Sequence, residues 1–365
     1  MRFVLLIWMI LPALHAAAQQ RYLFVGTYTA RGSEGIYVYR FDPATGALAQ
    51  VSAAGGIENP SFLALAPGGK HLYAVEENDP GHVAAFRFDE AAGTLVRIGR
   101  QPAEGVWPCH LAVDAGGRWC IAGNYGSGSL AVLPILPDGS LGPAVQTIRH
   151  SGSGPNAERQ EGPHVHSVNF SPDGRQIFVA DLGTDELRVY QFDAASGRLT
   201  PGDPPAVRTA PGGGPRHFAF HPGGSFAYAV LELTSQVAAF RYENGTLSPI
   251  QTERMLPAGF SGPNTCADLH VSPDGRFLYG SNRGHNSIAV FAIHPRTGRL
   301  TPKGHQPTLG STPRNFAIDP TGRYLLAANQ ESGDIQVFRR NPRSGKLTPA
   351  GQSAKVSMPV CLLFR

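Results

Sequence analysis

Short apolar runs with period-two alternation recur along the chain, and Gly, Pro, Asn and Asp gather between them. The clearest copy spans residues 213–247, GGPRHFAFHPGGSFAYAVLELTSQVAAFRYENGTL. Its three runs of Val, Phe, Tyr and Ala are parted by His221-Pro222-Gly223-Gly224, Thr234-Ser235 and Asn244-Gly245. Alternation bounded by turn residues predicts antiparallel strands in a meander. The same grammar returns at residues 59–95, 108–141, 164–199, 265–300 and 312–347. A repeat of this length holding several strands predicts one blade of a β-propeller.

A turn ending Gly-x-Leu joins the third and fourth strands of each unit. Its glycines are Gly46, Gly93, Gly139, Gly197, Gly245, Gly298 and Gly345, spaced 47, 46, 58, 48, 53 and 47 residues apart. Seven copies predict seven four-stranded antiparallel blades. The first copy lacks an inner strand, because Arg21–Gly26 reads as a second strand and Gly35–Asp42 as a third. Residues 358–364, MPVCLLF, match the pattern of residues 312–318, TPRNFAI. The C-terminal strand is therefore expected to complete the N-terminal blade, closing the ring and removing two exposed sheet edges.

Composition adds a cellular setting. Arg2, the apolar run Phe3–Leu14 and the small residues Ala16–Ala18 read as an export signal, residues 1–18, too short for a membrane span. Residues 19–365 are then the propeller, periplasmic or extracellular. Forty-four Gly and 31 Pro suit a protein of strands and turns. A net charge of +4, spread without a Lys/Arg run, argues against nucleic-acid or membrane partners. Cys109, Cys120, Cys266 and Cys361 all fall in predicted strands and read as buried free thiols. No metal-ligating spacing is present and no cofactor is indicated.

In such a blade, the start of the first strand and the end of the second reach the same mouth of the central channel. The first column so defined is Ser61, Cys109, His166, Arg216, Ala267, Arg314 and Val360; the second is Tyr28, Glu77, Tyr125, Leu182, Glu232, Arg283 and Gln330. Arginines, glutamates and a histidine stand where strand burial would demand apolar groups, which is the mark of a functional site. Neighbouring His110, His164, His217, Asp268, Asn124, Asn282, Asn329 and Glu76 add to it. Each residue alone also fits a solvated or cross-blade-paired role. His221 reads as a turn residue, and His270 as a core histidine with a hydrogen-bond partner. The longest spacing places extra residues at Ser151–Pro163, a candidate lid over the same mouth.

Gly214-Pro215-Arg216-His217, Glu232-Leu233, the run Asp268–Arg276, Ser281-Asn282-Arg283 and Thr312-Pro313-Arg314-Asn315-Phe316 resemble the seven-bladed propeller lactonases. That family includes 6-phosphogluconolactonases and carboxy-muconate cyclases. The resemblance covers Tyr22 to Phe364 and implies catalytic roles for His166, Arg216, Arg283 and Glu232, the residues that the columns also single out. Arg314, His164, His217, Glu77, Tyr125 and Gln330 are the expected substrate contacts. The implied partner is a small anionic lactone or carboxylate, taken by a monomer. Export departs from the family's cytoplasmic 6-phosphogluconolactonases and leaves the substrate open.

Lactone hydrolysis needs an activated water and a stabilised oxyanion. Glu232 or His166 would take the proton, and the arginines would hold the oxyanion and a substrate anion. No GxSxG nucleophile motif is present. A cycloisomerase would use the same groups, and a non-catalytic binding propeller is the alternative from another class.

Overall fold

A computed structural model describes residues 21–365. The segment read as an export signal lies outside these residues. Seven four-stranded antiparallel sheets stand around a central channel. Blade 1 contains β1 (Arg21–Thr27), β2 (Ile36–Phe41) and β3 (Leu48–Ala54), with β28 (Pro359–Phe364) as its inner strand. β28 pairs antiparallel with β1, Leu23 opposite Phe364 and Val25 opposite Leu362. The ring is closed by the last strand, as the pattern predicts.

Alternation decides the packing. In β17 (Phe226–Leu231) of blade 5, Phe226, Tyr228 and Val230 join a core shared with blade 6. Ala227, Ala229 and Leu231 enter the core shared with blade 4. A strand buried on both faces reads as a continuous apolar run, and side chains of opposite parity serve opposite neighbours. Seven such apolar clusters fill the seven seams between blades.

Aromatic donors on the second strands stitch those seams. Tyr73 Oη donates to the Gly139 carbonyl at 2.9 Å, Tyr228 to Gly298 at 3.0 Å and Tyr279 to Gly345 at 2.8 Å. The acceptors are the turn glycines found in the sequence. Gly298 sits at φ +70° with the Phe226 ring where a Cβ would project, so both conformation and space require glycine. One turn departs from the pattern. In blade 3, Leu141 forms only an isolated bridge to Ile135, and the fourth strand, β11 (Gln146–Arg149), starts later. Pro143 lies between them and cannot donate to a ladder.

Candidate active site

A regular inner strand sends its side chains into the neighbouring blades rather than into the channel. The inner strands here escape that constraint through bulges. The breaks in register leave Cys109 unpaired in β8 (Pro108–Val113), His166 in β12 (Val165–Phe170) and Arg314 in β24 (Pro313–Ile318). In β16 (Pro215–Phe220) they leave Arg216 and His217 unpaired, and in β20 (Cys266–Val271) Ala267 and Asp268. A bulge re-aims the residues that it releases from the ladder. Five of the seven first-column residues are among them, with the successors of two, His217 and Asp268.

The second column is fixed by its backbone. Glu232 follows β17 and donates its N–H to Gly214 O at 2.8 Å, and Arg283 N reaches Thr265 O at 2.9 Å. Tyr125 N–Trp107 O and Gln330 N–Thr312 O, both 2.9 Å, repeat the contact in other blades. Trp107 and Thr312 hold left-handed φ angles of 52° and 58°. Such angles are rare for bulky or β-branched residues and mark backbone held under constraint.

The mouth encloses a cavity of about 190 Å³, lined by Glu77, Cys109, Tyr125, Arg159, His166, Glu232, Arg283 and Arg314. Glu232 is its electrostatic centre. Oε2 lies 2.9 Å from Arg216 Nε and 3.0 Å from Arg283 Nη2, and Oε1 accepts from Arg159 Nη2 at 2.8 Å. Burial would raise this carboxyl, but Arg283, Arg216 and Arg159 outweigh it and hold Glu232 down at about 2. Arg216 is buried beneath the cavity, and Arg314 lies over the Tyr28 ring at 5.3 Å. Tyr28 Oη donates to Glu77 at 2.9 Å. Four guanidinium groups therefore face two carboxylates, a field suited to an anion.

His166 is of a different kind. Burial first, then Arg216, His217 and Arg314, push it well below the usual imidazole range, so it is neutral at physiological pH. Its Nδ1 lies 3.6 Å from Cys109 Sγ. Burial raises the Cys109 thiol far above its ordinary range, so the sulfur is no thiolate.

The remaining candidates fall outside this cavity. His164 stacks on Tyr125, with Nδ1 3.0 Å from the Tyr125 carbonyl and Nε2 3.1 Å from Glu161. It supports Tyr125 rather than lining the mouth. His217 lies one level down the channel, its Nδ1–H directed to Asp268 Oδ1 at 2.6 Å. Burial and Arg216 lower His217 to about 4 against the pull of Asp268, so it is a neutral donor. Gln330 bonds Glu331 at the rim. Glu76 is taken up by Arg97 and Arg100 within its own blade. Asn124, Asn282 and Asn329 bond Ala103, Met255 and Thr308, the carbonyls of the crossovers between blades. They are staples, not site residues.

His221 occupies its turn and bonds Gly275 O at 2.8 Å. His270 has the expected partner, Asp268 at 2.9 Å, but its side chain is 41% exposed in the channel rather than in a core. All four cysteines are free and buried. Sequence reasoning missed Arg159 as an individual residue. It stands in the Ser151–Pro163 loop, whose length was the only signal. A larger groove of about 910 Å³, lined in part by His221, Arg276 and Lys346, lies among turns at the other end of the ring. Its one acidic residue, Asp274, is paired with Arg340 at 2.8 Å.

Residues 22–364 match the family described as lactonase, 7-bladed β-propeller. The chain belongs to that lactonase family. It is 39% identical over 298 residues to a protein of Bacillus subtilis named 6-phosphogluconolactonase, covering 81% of this chain and 84% of that one. A Cronobacter sakazakii protein of the same name is 37% identical over 295 residues, covering 80% and 83%. The solved structure of a Pseudomonas aeruginosa periplasmic gluconolactonase superposes with a TM-score of 0.90 and 41% identity, covering 95% of this chain and 99% of that one. Seven blades and membership of a family of lactone hydrolases thus agree with the sequence reading.

Proposed function

We propose that the chain is a monomeric lactonase that opens a small, anionic sugar-type lactone by direct attack of water, with His166 as the base. One observation carries the choice of base: both Glu232 oxygens are already held by guanidinium groups. A carboxylate held at about 2 is a weak proton acceptor. Its role is to align Arg216 and Arg283. Neutral His166, beside it in the cavity, has a lone pair to offer.

Water attacks the lactone carbonyl as His166 takes its proton, and a guanidinium of Arg283 or Arg314 stabilises the oxyanion. Collapse breaks the ring C–O bond, and the leaving alkoxide recovers the proton from His166. The products are a carboxylic acid, which releases its proton to solvent, and a free hydroxyl, so atoms and charge balance. An anion on the substrate also offsets the arginine field that disfavours the imidazolium.

His166→Ala should lower kcat by roughly 10²–10⁴-fold with the fold intact. The wild-type kcat/KM, corrected for spontaneous hydrolysis, should stay flat from neutral pH to below 6.5, because protonation of the free base falls beneath that range. An acid limb centred near 6.5 or above, or an active His166→Ala enzyme, would remove His166 as the base. The periplasmic relative and the N-terminal sequence support export. An N-terminus near Gln19 on protein recovered outside the cytoplasm is the expected finding; full-length protein confined to the cytosol would oppose it.

A further inference from the structure

Three arginines hold Glu232, but they are not equivalent. Arg216 and Arg283 come from strand ends, their side chains are 2% and 14% exposed, and both sit on Oε2. Arg159 comes from the Ser151–Pro163 loop, is 39% exposed, and contacts Oε1, where no other group is bonded. It also donates to Tyr125 Oη at 3.2 Å. Its backbone is held in place by the next residue, since fully buried Gln160 donates to Leu182 O at 2.8 Å and Asp185 Oδ1 at 2.7 Å. Gln160 Oε1 in turn accepts from Asn156 N at 3.1 Å. The side chain of Arg159 can therefore change partner while its loop stays anchored.

We propose that Arg159 is a specificity-determining latch. A lactone carrying a phosphate or carboxylate draws the guanidinium off Glu232 and onto its own anion. That exchange frees Oε1 as an acceptor for a substrate hydroxyl in the cavity. Arg159 is the partly exposed member of its pair and is carried by a loop, and a guanidinium matches the two oxygens of a phosphate or carboxylate in bidentate fashion. A neutral lactone cannot make the exchange and meets a closed Arg159–Glu232 pair. The latch extends the lactonase reading by naming the substrate class that this mouth selects.

The test compares kcat/KM for 6-phosphoglucono-δ-lactone, D-glucaro-1,4-lactone and neutral D-glucono-δ-lactone, which separates phosphate, carboxylate and no anion. Wild type should prefer at least one charged lactone. Arg159→Ala should cut that preference by about 10–100-fold, chiefly through KM, and Arg159→Lys should restore part of it. Equal losses on all three lactones would make Arg159 a structural prop of the loop and overturn the latch, as would an unchanged preference. Calorimetric binding of 6-phosphogluconate and gluconate keeps the two readings apart. If wild type opens no lactone yet binds 6-phosphogluconate more tightly through Arg159, hydrolysis falls and the latch stands. Binding of both acids that is unchanged on going from wild type to Arg159→Ala overturns the latch.

Discussion

His217 and Asp268 lie on adjacent inner strands and share a 2.6 Å hydrogen bond one level below the mouth cavity. Asp268 also accepts from His270 at 2.9 Å, Asn315 Nδ2 at 2.6 Å and its neighbour's backbone, Leu269 N, at 2.9 Å. Asn315 Oδ1 in turn takes Leu362 N of β28 at 2.7 Å. One buried carboxylate therefore ties blades 5, 6 and 7 to the closing strand. Burial would raise it, but His270 and His217 hold it well below the usual carboxylate range.

Removing that acceptor should loosen the whole ring. Asp268→Ala leaves several buried donors unmet, at a cost of about 3–5 kcal/mol. For a domain of this size the thermal midpoint should fall on the order of 5–10 °C. A variant that melts within about 1 °C of the parent would show that the network is energetically neutral.

Glu232 makes stability depend on acid. Its folded value of about 2 lies below the ordinary 4.5, so its contribution is complete above about pH 4.5 and is lost as pH falls towards 2. The contribution is on the order of 3 kcal/mol. Glu232→Gln should be less stable than wild type at pH 7, and the gap should narrow below pH 4.5 in denaturant titrations. A gap that stays constant down to the lowest accessible pH would contradict the ion-pair account.

Cys109 tests water attack against a covalent route. The sulfur is close to His166, as in a Cys–His pair, but its thiol is held far from ionisation. Cys109→Ala should therefore lower kcat by less than about tenfold, whereas loss of a true nucleophile abolishes turnover. Accumulation of a thioester on Cys109 by mass spectrometry would overturn direct hydrolysis.

Ring closure can be examined by truncation after Ser357. This removes β28, strips Cys361 and Leu362 from the two apolar seams that flank blade 1, and bares the edge of β1. The product should be insoluble, or melt on the order of 10 °C or more below the parent. A truncated chain with the parent's melting curve would refute closure by the last strand.

The blades were legible because each second strand serves two seams and the turn between the third and fourth strands recurs seven times; Gly298 and Gly345 show its period and conformation. The mouth was legible as two columns for the same reason. What the pattern conceals is direction. Period-two reasoning assigns Arg216 and His217 to opposite faces, yet the bulge in β16 releases both from the ladder, and only the structure separates their depths. Asn282 and Arg283 adjoin in sequence, but one staples a crossover and the other faces Glu232. Arg159 escaped because its loop has no counterpart in the other blades.

The pairing of β28 with β1 also dictates an order of events. Blade 1 remains without its inner strand until residues 359–364 are available, and Leu23 and Val25 have no partners on that side before then. The chain therefore cannot complete its tertiary structure while its C-terminal end is still being synthesised. The ring locks only once the last strand is free to pair with the first. Arg365 N then bonds Tyr22 O at 2.9 Å, which brings the last residue beside the start of β1, at the end of blade 1 away from the mouth.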